Sequence, residues 1–102
     1  MSTVFHHRRI GQLELRLISF YGGEKRGRCL HVALGNSGKD FERKQVEELR
    51  DNLRKVLKSW RIGSRVTLKI EGAKVQMRKT ESLRFYDALT LWLSGEYLKP
   101  VE

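Results

Sequence analysis

Residues 65–78, RVTLKIEGAKVQMR, alternate apolar and polar side chains on either side of Glu71-Gly72, and this pattern leaves little room for anything but a two-stranded hairpin. With Glu71 and Gly72 as the two turn residues, Ile70 faces Ala73, Lys69 faces Lys74, Leu68 faces Val75, Thr67 faces Gln76, Val66 faces Met77 and Arg65 faces Arg78. Every apolar residue then falls on one side. The other side carries Arg65, Lys69, Lys74 and Arg78 with no acid among them, so cation opposes cation twice, an arrangement that destabilises a strand pair. An anionic partner relieves such repulsion, and a nucleic-acid backbone is the commonest one.

The remaining chain supplies the layers such a hairpin needs. Residues 12–20 place Leu13, Leu15 and Leu17 in alternation with Glu14 and Arg16, and residues 28–34 repeat the period with Leu30, Val32 and Leu34. These two strands form a first hairpin around a loop at Tyr21–Gly27, and residues 4–10 read as a further edge strand. Gly35-Asn36-Ser37-Gly38 interrupts the strand period. After it, Val46, Leu49, Leu53, Val56, Leu57 and Trp60 form one helical stripe, with Asp40 as the expected N-cap and Gly63 just past the end. A second helix is expected over residues 82–93 from Phe85, Leu89, Trp92 and Leu93, ended by Gly95. The fold class is therefore α+β. An antiparallel sheet of four to five strands is expected, ordered hairpin, helix, hairpin, helix, with both helices packed on one face.

The 102 residues suit one domain, with residues 1–11 as an N-terminal arm or edge strand, 12–98 as the folded core and 99–102 as a tail. The formal charge of +9 is concentrated before residue 80. One cysteine rules out an internal disulfide framework, and no apolar run has signal-peptide or membrane-spanning length, so a soluble, cytoplasmic protein is expected.

No reaction chemistry is indicated. The loop 22–28 supplies Lys25, Arg26 and Arg28 among glycines, which suits contact with phosphate, but no Gly-Lys-Ser/Thr follows and it is not a Walker A loop. His6, His7 and His31 lack further ligands at zinc spacing, and no metal or other cofactor is expected. Cys29 is expected to be a buried structural thiol sharing neither face nor geometry with His31. Glu42, Glu47, Glu48 and Asp51 lie among cations on a helix, where ion pairs such as Asp51 with Lys55 account for them. Trp60 and Trp92 each end an apolar stripe and are expected in the core or an interface. Leu83, Ala88 and Leu91 fall off the main stripe of the second helix, which favours a homodimer through that helix.

The reading these features favour is a non-catalytic protein that binds single-stranded DNA or RNA, a duplex also being possible. Arg65, Lys69, Lys74 and Arg78 would neutralise phosphates across a sheet face, Lys25, Arg26 and Arg28 would clamp the strand, and Tyr21 would stack a base. The alternative is a small regulator or inhibitor whose basic face covers an acidic surface of a protein partner.

Overall fold

The computed structural model describes residues 7–10, 15–22 and 25–94; of residues 7, 8, 21, 22 and 25–27 only the backbone is described. Four strands, β1 (His7–Ile10), β2 (Leu15–Gly22), β3 (Lys25–Leu34) and β4 (Ser37–Phe41), form an antiparallel sheet in chain order. Helix α1 (Arg43–Lys58) follows, then the hairpin β5 (Val66–Ile70) and β6 (Ala73–Met77), and then α2 (Lys79–Leu93). The α+β class, the antiparallel pairing and the two helices agree with the sequence pattern. The second hairpin pairs only with itself, as a separate two-stranded sheet.

The strand period explains which face is covered. Leu15 pairs with Leu34, Leu17 with Val32 and Ser19 with Leu30, all on the inner face, while Arg16 with Ala33, Ile18 with His31 and Phe20 with Cys29 lie on the outer one. Both helices pack on the inner face. Val46 and Leu53 of α1 and Phe85, Ala88, Leu89 and Trp92 of α2 join Leu15, Leu17, Leu30 and Val32 in one core, together with Leu68, Ile70 and Met77 of the hairpin. Each such large apolar side chain contributes about 1.5–3 kcal/mol on burial. Trp92 Nε1 also donates to Ser19 Oγ at 2.9 Å, which satisfies the one polar atom the indole brings into this core. Ser82 Oγ, by contrast, is buried without a partner among the described residues.

Strand β4 is the element the sequence pattern concealed. Gly35 and Asn36 form a two-residue turn between Leu34 and Ser37, and Gly35 has a φ of 60° at the first turn position, where a type II′ turn requires glycine. The cluster read as a break is thus a hairpin turn followed by a strand. As a result Asp40 does not cap α1: it sits in β4 opposite His31, and Glu42 is the N-cap, its backbone N–H donating to Gln45 Oε1 at 2.9 Å. Helix α1 stops at Lys58, so Trp60 lies beyond it, half-buried, and Gly63 with a φ of 89° belongs to the following turn.

Helix α2 begins three residues earlier than its apolar stripe suggests, because Glu81 Oε1 accepts the backbone N–H of Arg78 at 3.0 Å and closes the first turn. Its last turn contains no basic residue. Two arginines from other elements supply what it lacks: Arg28 Nη2 of β3 donates to the Trp92 carbonyl, and Arg43 Nη2 of α1 donates to the Leu93 carbonyl at 3.3 Å.

Candidate nucleic-acid interface

The β5–β6 register places Ile70 opposite Ala73, Lys69 opposite Lys74, Leu68 opposite Val75, Thr67 opposite Gln76 and Val66 opposite Met77. Leu68, Ile70 and Met77 are buried, and Thr67, Lys69, Lys74 and Gln76 are exposed. A two-residue turn makes this inevitable. Once Ile70 and Ala73 flank it, the period of two sends all six apolar residues inward and sets two ammonium groups side by side in solvent. The turn itself is strained: Glu71 has a φ of 51°, in the region that favours glycine, while Gly72 occupies the second position.

Strand pairing ends at Val66 and Met77, so Arg65 and Arg78 flank the ladder and do not belong to it. Arg65 Nη1 donates to the Ser64 carbonyl at 2.7 Å, and Arg78 is the N-cap of α2. Both are exposed. Among the described residues, none of Arg65, Lys69, Lys74 and Arg78 forms an ion pair with a carboxylate. Glu14, Glu24, Glu96 and Glu102 lie outside the described residues.

The second part of the expected site is built differently. The segment after Tyr21 is not a free loop, because β2 runs to Gly22 and β3 begins at Lys25, with a register shift at Tyr21/Gly22. Tyr21, Lys25 and Arg26 fall in these strands; their side chains lie outside the described residues. Arg28 is half-buried and already engaged. Its guanidinium lies 4.4 Å from the centroid of the Trp92 ring and bonds the Trp92 carbonyl, so it serves as a clamp on α2. Arg28 and Arg78 accordingly lie at opposite ends of α2, roughly 20 Å apart along its axis. The structure brings Lys69 and Lys74 together, with Arg65 and Arg78 at their foot, and keeps Arg28 away from them.

Three further cations, Arg43, Arg50 and Arg54, have partners within the fold. Arg43 meets Glu47 at 3.3 Å, and Asp51 pairs with its neighbour Arg50 at 3.2 Å, not with Lys55 as the helical spacing suggested. Arg54 Nε donates to the Tyr86 hydroxyl at 3.3 Å, and that hydrogen bond raises its pKa still further above the ordinary guanidinium value. Behind β5 lies an apolar cavity of about 320 Å³, walled by Leu49, Leu53, Val56, Val66 and Phe85, with Arg65 also lining it. On α2, Ala88 is buried and Leu83 and Leu91 are exposed.

The outer face of the four-stranded sheet carries Arg16 and His31, as the strand alternation predicts, but the hairpin cations belong to a separate sheet and do not share it. His31 Nδ1 lies 2.6 Å from Asp40 Oδ1, and the register sets Arg9 opposite Arg16. Cys29 is buried as expected, but a spacing of two puts it on the same face as His31. No triad results, because the Nε2 side of the ring is turned towards Gly38, away from Cys29 along β3. Among the described residues no group of histidine, cysteine and carboxylate side chains could hold a metal ion, and no helix is long and apolar enough to cross a membrane.

No family model, curated protein or solved structure matches the chain.

Proposed function

We infer that the protein binds the phosphate backbone of single-stranded nucleic acid through the β5–β6 hairpin, without catalysis. The observation that supports this reading is the exposed Lys69–Lys74 pair, with Arg65 and Arg78 beside it and no neutralising carboxylate among the described residues. An ordinary solvent face lowers its self-energy by interleaving acids. This face instead has Thr67 and Gln76 at its centre, neutral groups that hydrogen-bond phosphate, sugar or base edges. Lys25 and Arg26 extend the reading to the β2–β3 tip, and Arg28 drops out because its guanidinium is spent on α2.

The test is a polarisation titration with labelled single-stranded and duplex oligonucleotides at 50 and 200 mM salt. Four phosphate contacts on a single strand give a slope of about −3 in log K against log salt, hence about fiftyfold weaker binding at the higher salt. Lys69→Glu with Lys74→Glu should remove most of the affinity and leave the circular dichroism unchanged. Absence of binding to any oligonucleotide at 50 mM salt overturns the reading and leaves an acidic protein surface as the partner.

A further inference from the structure

We propose that the outer face of the four-stranded sheet holds a phosphate-binding site, with Arg16 and His31 as its ligands, that tightens as His31 takes up a proton. The site is separate from the hairpin and does not rest on the reading given for it.

The register builds the site. Arg9, Arg16, Ala33 and Gly38 form one cross-strand row over β1 to β4, and the two small residues leave a hollow of about 390 Å³. Arg16 Nη2 donates to the Gly35 carbonyl at 3.1 Å, which holds the guanidinium beside the hollow with its other N–H groups available. From the next row, the His31 ring reaches across to β4. Its Nδ1 is fixed by Asp40 Oδ1 at 2.6 Å, a charge-assisted length, and its Cε1–Nε2 edge lies over Gly38. A Cβ at Gly38 would meet both ring atoms at 2.6 Å. Gly38 has no positive φ and no turn to make, so the backbone does not explain a glycine inside a strand; the close approach of the ring does. Nε2 and Arg16 thus converge on the Ala33–Gly38 row, and Asn36 and Ser37 line the same hollow.

The proton decides what Nε2 offers. In the neutral ring Nδ1–H donates to Asp40 and Nε2 presents a lone pair, which repels an oxyanion. Protonation from solvent makes Nε2–H a donor and adds a positive charge beside Arg16. Among the described residues, the charged groups on this face are Arg9 and Arg16 from β1 and β2 and Asp40 from β4; the Cys29 thiol of β3 is buried further along the strand, and His7 occupies the register position opposite Ile18. Anion affinity therefore rises when the ring is protonated.

Sulfate, whose charge is the same at pH 8 and pH 5.5, is the first probe, titrated into the full chain at both with amide chemical shifts of residues 33–38 as the readout. Binding should be about tenfold tighter at pH 5.5. Arg16→Gln should weaken it about tenfold at both pH values, a loss typical of one charge-assisted hydrogen bond. His31→Gln should abolish the pH dependence, and Gly38→Ala should reproduce that loss without removing a charge, the remaining amide spectrum reporting the fold. Lys69→Glu with Lys74→Glu should leave sulfate binding unchanged. In that hairpin variant, preference for a 5′-phosphorylated over a 5′-hydroxyl oligonucleotide assigns the phosphate to a strand end, and tighter binding of a nucleoside monophosphate than of either assigns it to a free ester. Absence of sulfate-induced shifts in residues 33–38, or pH dependence that survives His31→Gln, overturns the proposal.

Discussion

Replacing Lys74 by glutamate should make the protein more stable and bind nucleic acid less well. Lys69 and Lys74 are directly opposite across β5–β6, where Cβ atoms stand about 4.5–5.5 Å apart. Their flexible stems let the ammonium groups splay to about 7 Å, at which two unit charges repel by about 0.6 kcal/mol in water and about 2.4 kcal/mol at the effective dielectric near a protein surface. Both side chains are exposed, so the lower figure governs. Lys74→Glu removes that repulsion and substitutes an opposite-charge pair worth about 0.2–1 kcal/mol, for a net gain near 1 kcal/mol. In a domain of this size the melting temperature should rise by about 4–6 °C. Urea unfolding at low and at 1 M NaCl is the assay, since guanidinium would itself screen the charges. The gain should largely vanish at 1 M, where the Debye length is about 3 Å. Lys74→Gln, which relieves repulsion without adding attraction, should recover roughly half of it. Oligonucleotide affinity should fall by at least about tenfold in the glutamate variant. A variant that is less stable, or whose gain is independent of salt, refutes the claim that these lysines repel; a gain in stability with undiminished binding refutes the placement of the ligand.

Glu71→Gly should raise stability by about 0.5 kcal/mol or more, because glycine adopts the positive φ of this turn position without the cost a side chain incurs; a lower melting temperature would mean that the glutamate side chain makes a compensating contact. Ser82→Ala should be stabilising by about 1 kcal/mol in urea titrations, since it removes a buried hydroxyl with no partner and improves helix propensity in α2. Ser19→Ala should cost about 1–3 kcal/mol, because it leaves the Trp92 indole N–H buried and unsatisfied, and Trp92→Phe in the same background should add less than it does alone.

The hairpin register was legible from Val66–Met77 to Ile70–Ala73 because two turn residues and a strict period of two define each of those pairs; the outermost expected pair, Arg65 with Arg78, falls beyond the ladder. Both helices were legible in their apolar stripes, whose core members Val46, Leu53, Phe85 and Leu89 are buried as that spacing requires. Strand β4 was not. It has no apolar alternation, its residues before Phe41 are small or polar, and Gly35-Asn36 serves equally well to stop a strand or to turn one. That ambiguity also misassigned Asp40, whose partner, His31, becomes its neighbour only when β4 pairs with β3. Arg28 was read as free because the ring and carbonyl that hold it belong to Trp92, 64 residues further along the chain. Sheet membership of β5–β6 is likewise a long-range property that no local pattern encodes.

The borrowed arginines at the end of α2 make its last turn dependent on remote parts of the chain. Peeling this helix away would strand two guanidiniums and reopen an indole donor in a single event. Slow amide exchange should therefore extend through Trp92 and Leu93 and be lost together with that of β3, whereas a self-capped helix frays progressively from its tip.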